Sequence, residues 1–151
     1  MTARDAAPVV LLLSGPNLNL LGERQPEVYG TETLEEHVAA ARKEAERHGL
    51  ELEHVQSNGE AELVEAVQQA RGRCAAIVVN AAALTHYAWS LHDALASFDG
   101  PVVELHLSNP YARESWRHVS VVSPVADAVI AGLKGPGYVL AVQAVAGLLG
   151  S

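Results

Sequence analysis

Apolar runs alternate with amphipathic stretches along the chain, and this alternation predicts βα units around a parallel sheet. Residues 9–13 form an unbroken apolar run, which is typical of a strand buried on both faces. Further strands are predicted at residues 50–55, 76–79, 101–107 and 128–133, although the last run is short enough to be helical instead. The pattern therefore predicts an α/β fold, a flavodoxin-like three-layer sandwich with a five-stranded parallel sheet.

Helix signals occupy the intervals between these runs. Thr33 and Glu36 have the spacing of a capping box, and Gly49 stands where the helix that follows should stop. Other helices are predicted over residues 60–71, 86–98 and 138–149, with Thr85 as the N-cap of the helix at 86–98. In such folds ligands bind beyond the carboxyl ends of the strands, which directs attention to residues 14–31, 80–86, 108–118 and 56–59.

Composition and charge narrow the classes of partner. The 151 residues favour a single domain over residues 9–151, with residues 1–8 predicted to be a disordered tail. Ten Lys and Arg against eighteen Asp and Glu give a net charge of -8, which disfavours nucleic acid and anionic membranes as partners. Cys74 is the single cysteine, so the sequence predicts no disulfide framework and fits the reducing cytoplasm. No apolar run reaches the roughly twenty residues of a membrane span.

The connection after the first strand, residues 14–31, is much longer than the roughly two to six residues usual for a βα loop. It contains Asn17, Arg24 and Tyr29, and Gly22 and Gly30 could act as hinges of a lid. Loops of this length are usually functional. The alternatives are that Asn17 only satisfies turn backbone and that Tyr29 only packs over the edge of the sheet.

Glu104 and His106 lie two residues apart in the strand predicted at 101–107, so both side chains point to one face of the sheet. Burying a carboxylate and an imidazole together is costly unless each serves the other. The functional interpretation makes His106 a general acid or base that Glu104 orients. The alternative is a satisfied pair in the core.

Arg24, Arg113 and Arg117 fall in crevice loops, whereas Arg42, Arg47, Arg71 and Arg73 are assigned to helix surfaces. Three guanidinium groups at one mouth favour an anionic ligand or a residue held as an anion. The alternative for Arg113 and Arg117 is pairing with Glu114.

The sequence lacks the motifs that are typical of phosphate binding, imine chemistry and metal binding. The first strand is not followed by a glycine-rich phosphate loop, and a buried imine-forming lysine is not expected among the two lysines. The histidines and the cysteine show no metal-ligand spacing, so we predict no metal. Taken alone, His86 is a first-turn surface residue, and His37, His48, His54 and His92 are assigned to surface positions without a role.

The ordered motifs resemble the type II 3-dehydroquinases (3-dehydroquinate dehydratases). The likeness begins with Gly15-Pro16-Asn17-Leu18-Asn19-Leu20-Leu21-Gly22, Arg24, Pro26 and Tyr29-Gly30. It continues through Gln56-Ser57-Asn58-Gly59-Glu60, Asn80 with Thr85-His86, Glu104-Leu105-His106-Leu107-Ser108-Asn109, Ala112-Arg113-Glu114 with Arg117-His118, and Ser123-Pro124-Val125. It spans roughly residues 9–149, so it is more specific than any single motif.

The resemblance implies dehydration of 3-dehydroquinate to 3-dehydroshikimate, in the shikimate or quinate pathway, without a cofactor, metal or imine. It implies that Tyr29, as tyrosinate favoured by Arg24 and Arg113, removes a proton next to the ketone. Asn17 would stabilise the enolate through a water, and His106, oriented by Glu104, would protonate the departing hydroxyl. The implied substrate-binding residues are Asn80, His86 and Arg117 for hydroxyls, the amides of Leu107 and Ser108 for the carboxylate, and Asp93 at a neighbouring subunit's site. The implied assembly is a homo-oligomer, a dodecamer built as a tetramer of trimers.

Three places depart from the family's usual pattern. Ala81-Ala82 follow Asn80, where Pro or Gly is often found, and Tyr87-Ala88 and Pro110-Tyr111 also differ. None of these removes a catalytic group, but substrate preference and assembly stay open. The alternatives from other classes are a flavodoxin-like module that binds flavin or another small ligand without catalysis, and a non-catalytic scaffold that retains the assembly.

Overall fold

The computed structural model describes residues 6–150, within which five strands alternate with helices. The strands are β1 (Val9–Ser14), β2 (Glu51–Gln56), β3 (Ala76–Asn80), β4 (Val102–His106) and β5 (Ala128–Ala131). The α-helices are α1 (Pro26–Tyr29), α2 (Leu34–Arg47), α3 (Glu60–Ala70), α4 (Trp89–Ala96) and α5 (Pro136–Leu148). The short apolar run that the sequence left ambiguous is therefore a strand, β5.

All neighbouring strands are parallel and lie in the order β2-β1-β3-β4-β5. This confirms the predicted flavodoxin-like sheet. The inner strands β3 and β4 are buried along their whole length, whereas β2 and β5 at the edges are partly exposed. Because every strand runs in the same direction, the carboxyl ends of β1, β3 and β4 meet at one edge of the sheet.

Two apolar layers hold the helices against the sheet. Alternate residues of β1, such as Val10 and Leu12, pack in one core with α2 and α5, and the intervening Leu11 and Leu13 pack in the other core with α3 and α4. This division follows from the alternation of side chains along a strand. The sandwich therefore buries both faces of the sheet and leaves its carboxyl edge for the loops.

The ends of the helices follow the predicted signals in one case and not in another. At the start of α2, Glu36 N donates to Thr33 Oγ1 over 3.2 Å and Thr33 N donates to Glu36 Oε1 over 3.2 Å, so the capping box is present. The predicted start at residue 86 was wrong, because α4 begins at Trp89 after a 3-10 helix over Ala82–His86. Thr85 is therefore not an N-cap. Its carbonyl accepts a hydrogen bond from Val121 N, which ties the segment to a neighbouring loop.

At the N-terminal end, residues 1–5 of the predicted tail lie outside the described part of the chain. Pro8, the last residue of that tail, is attached to the sheet, because its carbonyl accepts a hydrogen bond from Glu51 N over 2.9 Å. Within residues 6–150, no helix is long and apolar enough to cross a membrane.

Candidate active site

A pocket of about 570 Å³, including its open mouth, lies at the carboxyl edge of the sheet. Ten of the twelve predicted site residues line it: Asn17, Arg24, Tyr29, Asn80, His86, His106, Leu107, Ser108, Arg113 and Arg117. Of the two others, Glu104 lies behind His106, and Asp93 is exposed on α4 away from this pocket. The structure thus brings together side chains that are up to a hundred residues apart in the sequence.

The floor of the pocket begins with the turn after β1. Gly15 N donates to the Asn80 carbonyl over 2.8 Å, and a Cβ at Gly15 would lie 2.4 Å from the Ala81 carbonyl oxygen, so only glycine fits there. Asn17 adopts a left-handed conformation with φ 68°, and its backbone N–H donates to Asn58 Oδ1 over 2.9 Å. The side chain of Asn58 thus supports the Asn17 backbone and leaves the Asn17 carboxamide at the pocket.

Tyr29 ends the short helix α1 and is 8% exposed. Arg24 lies over its ring, with the guanidinium carbon 4.9 Å from the ring centroid, and Arg113 approaches the ring to 5.2 Å. The interpretation of Tyr29 as a residue that only covers the sheet edge does not account for two cations on one phenol ring. Two guanidinium groups therefore make cation–π contacts with one buried phenol ring of the pocket.

Of the two residues predicted to pair in β4, Glu104 lies in the core and His106 lies at the pocket. His106 Nε2 lies 2.5 Å from Glu104 Oε2, and Glu104 also accepts hydrogen bonds from Ser120 Oγ over 2.8 Å and from Ser123 Oγ. Burial opposes ionisation of Glu104, but the hydrogen bonds from His106, Ser123 and Ser120 outweigh it and hold the pKa of the carboxyl below its ordinary value. Glu104 is thus buried with its hydrogen bonds satisfied, whereas His106 lines the pocket.

Arg113 and Arg117 are the other two arginines beside Arg24 that line the pocket, and both contact neighbouring side chains. Arg113 Nη1 donates to Ser108 Oγ over 3.1 Å. Arg117 Nε donates to Glu114 Oε1 over 2.9 Å while the guanidinium lies 4.0 Å from the centre of the Trp116 ring. Pairing with Glu114 and a position at the pocket are therefore compatible for Arg117. Among the described residues, no Asp or Glu side chain lines the pocket, although Glu114 forms ion pairs with two of its three arginines, Arg117 and, at 3.9 Å, Arg113.

His86 is half-buried and lines the pocket, and it lies in the 3-10 helix over Ala82–His86 instead of in the first turn of α4, where the sequence alone placed it. Its Nδ1–H donates to the Val119 carbonyl over 2.7 Å, which leaves Nε2 as the free nitrogen of the ring. Burial lowers the pKa of His86, which favours the neutral imidazole at neutral pH. A neutral ring held in this way can accept a hydrogen bond from a ligand hydroxyl.

Several supporting residues were not found by the sequence analysis. Ser120 and Ser123 hold Glu104, and Tyr138 on α5 accepts a hydrogen bond from Asn80 Nδ2 over 3.3 Å. The apolar pattern of α5 gave no signal that Tyr138 has a polar partner. His37 was also misassigned to the surface: it is 4% exposed and its ring stacks on Tyr138, with the centroids 5.1 Å apart.

The family model described as "Dehydroquinase class II" matches residues 8–146. A protein named "3-dehydroquinate dehydratase 1" from Corynebacterium efficiens is 53% identical over 137 residues, which are 91% of each chain. One named "3-dehydroquinate dehydratase 2" from Pseudomonas putida is 48% identical and covers 94% of this chain and 95% of its own. The crystal structure of a type II dehydroquinase from Butyrivibrio crossotus superposes with a TM-score of 0.89 at 36% identity, covering 92% of this chain and 97% of its own.

Proposed function

The chain belongs to the class II dehydroquinase family, and from that premise we propose how its pocket removes water from 3-dehydroquinate to give 3-dehydroshikimate. The enzyme is a hydro-lyase, which breaks a carbon–oxygen bond and forms a double bond. The comparisons give no support to a flavin-binding module. We propose an anti elimination that passes through an enolate.

Tyr29 is the base of this proposal. As tyrosinate it takes a proton from the carbon beside the ketone, and the electrons of the broken C–H bond move into the enolate. Arg24 and Arg113 over the ring favour the ionised phenol that this step requires. Asn17, whose carboxamide lines the pocket, stabilises the enolate oxygen through a bound water.

His106 is the acid of the second step. Its proton passes to the departing hydroxyl, the carbon–oxygen bond breaks, and the enolate electrons form the carbon–carbon double bond of the product. Water leaves, and proton exchange with solvent returns Tyr29 and His106 to their starting states. Glu104 stabilises the protonated imidazole through the 2.5 Å contact, so it is a positioning residue that does not touch the substrate.

The substrate is held by the groups around these two. The backbone N–H groups of Leu107 and Ser108 lie where β4 ends and would hold the carboxylate, next to Arg113. Asn80, His86 and Arg117 would bind the hydroxyl groups. Three cations in a pocket without acids give an anionic substrate a favourable potential in a chain of net charge -8.

One observation carries the mechanism: two guanidinium groups contact the ring of Tyr29 in the pocket that also holds His106. The test is an ultraviolet assay, because the conjugated enone of the product absorbs and the substrate does not have that chromophore. We expect the purified chain to form the enone from 3-dehydroquinate at an unchanged rate in the presence of a metal chelator. If no ultraviolet absorbance of the enone appears, the proposed function is contradicted. Loss of turnover in the presence of the chelator would contradict the metal-free mechanism.

We propose a homo-oligomer, a dodecamer built as a tetramer of trimers, as the working assembly. Tyr87, Trp89, Trp116 and Val119 are each at least 50% exposed near the pocket, which is a large amount of apolar surface for an uncovered region. Asp93 is four residues after Trp89 on α4 and so shares its face, which supports the proposal that Asp93 reaches a neighbouring subunit's pocket.

Light scattering after gel filtration tests this assembly. We expect a mass close to twelve copies of the 16.0 kDa chain, and a smaller species for Trp89→Glu. A wild-type monomer would contradict the proposal. A cytoplasmic location stays a prediction that rests on the single cysteine.

A further inference from the structure

A buried chain of hydrogen bonds leads from the pocket into the core. Asn80 ends β3, is 3% exposed and lines the pocket. Its Nδ2 donates to the hydroxyl of Tyr138 over 3.3 Å, and Tyr138, near the start of α5, is 1% exposed. Ser14, which is fully buried at the end of β1, is hydrogen-bonded to the same hydroxyl. The chain ends at β2, where His54 Nε2 lies 2.9 Å from Ser14 Oγ.

One direction in this chain of hydrogen bonds is fixed by the Asn80 amide. An amide N–H can only donate, so the Tyr138 oxygen accepts from Asn80 Nδ2, and Ser14 and His54 follow behind the same hydroxyl. Burial, and then the neighbouring Arg42, lower the pKa of His54, which favours a neutral ring at the end of the chain.

Tyr138 is well fixed for such a role. Its ring stacks on His37 with an interplanar angle of 11°, so the hydroxyl cannot move without repacking α2 against α5. Burial raises the pKa of Tyr138 to about 12, so the hydroxyl stays protonated throughout the working range of pH. It is thus a neutral group whose oxygen is held in place as an acceptor for the Asn80 amide.

We propose that Tyr138, backed by Ser14 and His54, is a positioning residue that holds the Asn80 carboxamide with Nδ2 towards α5 and Oδ1 towards the pocket. Asn80 then presents an acceptor to the substrate, so this part of the pocket selects a hydroxyl group over a carbonyl oxygen. This inference rests on the proposed function, since it concerns how the same pocket recognises its substrate. Without the Tyr138 hydroxyl, the carboxamide can turn and present its N–H groups instead.

The test is a double-mutant cycle between Tyr138→Phe and Asn80→Ala, read by steady-state kinetics on 3-dehydroquinate. We expect Tyr138→Phe to raise KM about 3- to 10-fold with a smaller change in kcat, because one neutral hydrogen bond to the substrate is affected. In the Asn80→Ala background the same change should have no further effect, since Tyr138 acts through Asn80. Tyr111→Phe is the matched control, because Tyr111 is 72% exposed and does not line the pocket.

Equal effects of Tyr138→Phe in both backgrounds would show a merely structural role and would overturn the inference. Crystal structures of the wild type and of Tyr138→Phe give a second readout that needs no turnover. We expect the Asn80 carboxamide to change its orientation in Tyr138→Phe, and an unmoved carboxamide with unchanged partners would also overturn the inference. If the wild type forms no enone, the proposed function fails, and the two crystal structures still decide the role of Tyr138.

Discussion

Replacing Glu104 with Gln tests whether the buried carboxylate supports catalysis or only the core. The substitution keeps the volume of the side chain and a carbonyl oxygen that can accept from Ser123. It places an amide N–H where Glu104 Oε2 now meets His106 Nε2 at 2.5 Å. His106 Nε2 must then accept instead of donate, and the imidazolium loses its counter-ion. Because the imidazolium is a far stronger acid than neutral imidazole, proton donation to the departing hydroxyl becomes slower.

The size of the effect follows from this contact. A hydrogen bond to a charged group contributes about 1.5–3 kcal/mol, and about 1.4 kcal/mol corresponds to a factor of ten in rate. We therefore expect Glu104→Gln to lower kcat roughly 10- to 150-fold in the enone assay. KM should change by less than about threefold, because Glu104 does not line the pocket.

Glu44 offers a matched control. It is 7% exposed, contacts His48 at 2.9 Å and accepts a hydrogen bond from Gln143, but it lies on α2 away from the pocket. Glu44→Gln removes a carboxylate from a similar Glu–His contact and should leave kcat unchanged. Wild-type turnover in Glu104→Gln, with the fold intact by circular dichroism, would refute the supporting role of Glu104.

Three further predictions concern stability and chemistry. Gly15→Ala should lower Tm by several degrees, because the added Cβ would overlap the Ala81 carbonyl at a cost of about 1–3 kcal/mol. Gly147→Ala is the control and should not lower Tm, because a Cβ there meets open space. Equal Tm values for the two variants would contradict the close approach at Gly15. Folding lowers the pKa of Glu104, so the ionised carboxylate stabilises the fold at pH values above its ordinary pKa of 4.5, and this stabilisation is lost as the pH falls below 4.5. Denaturant titrations should therefore show a smaller acid-induced loss of unfolding free energy in Glu104→Gln than in the wild type. An equal loss in the two proteins would contradict this. Borohydride added with substrate should leave the activity unchanged, because neither Lys43 nor Lys134 lines the pocket, and irreversible inactivation would indicate an imine.

The order of elements could be predicted from the sequence because each strand is an apolar run and α2 has a complete capping box. The start of α4 could not. Residues 82–86 form a 3-10 helix whose position depends on hydrogen bonds to Val119 and Val121, more than thirty residues away. Local pattern cannot report such contacts. The backbone conformation of Ala82 could not be predicted either. Its φ is 54°, a conformation that favours glycine, and an alanine in the sequence does not predict it.

Residues of the candidate site could be predicted from the sequence where a chemically reactive residue type also falls at the carboxyl end of a predicted strand or in the long loop after β1. Alternation along β4 placed Glu104 and His106 on one face, and the length of the loop after β1 drew attention to Arg24 and Tyr29. The supports of the site were not predictable in this way. Tyr138 lies in an apolar helix and reaches Asn80 only because α5 packs beneath the end of β3.

The most direct test of the mechanism is the turnover of Tyr29→Phe, which removes one oxygen atom and keeps the ring between Arg24 and Arg113. Loss of a general base lowers rates by about 10²- to 10⁴-fold, so we expect kcat for enone formation to fall by about that factor while the substrate still binds. A Tyr29→Phe enzyme that forms the enone at the wild-type rate would show that another group removes the proton.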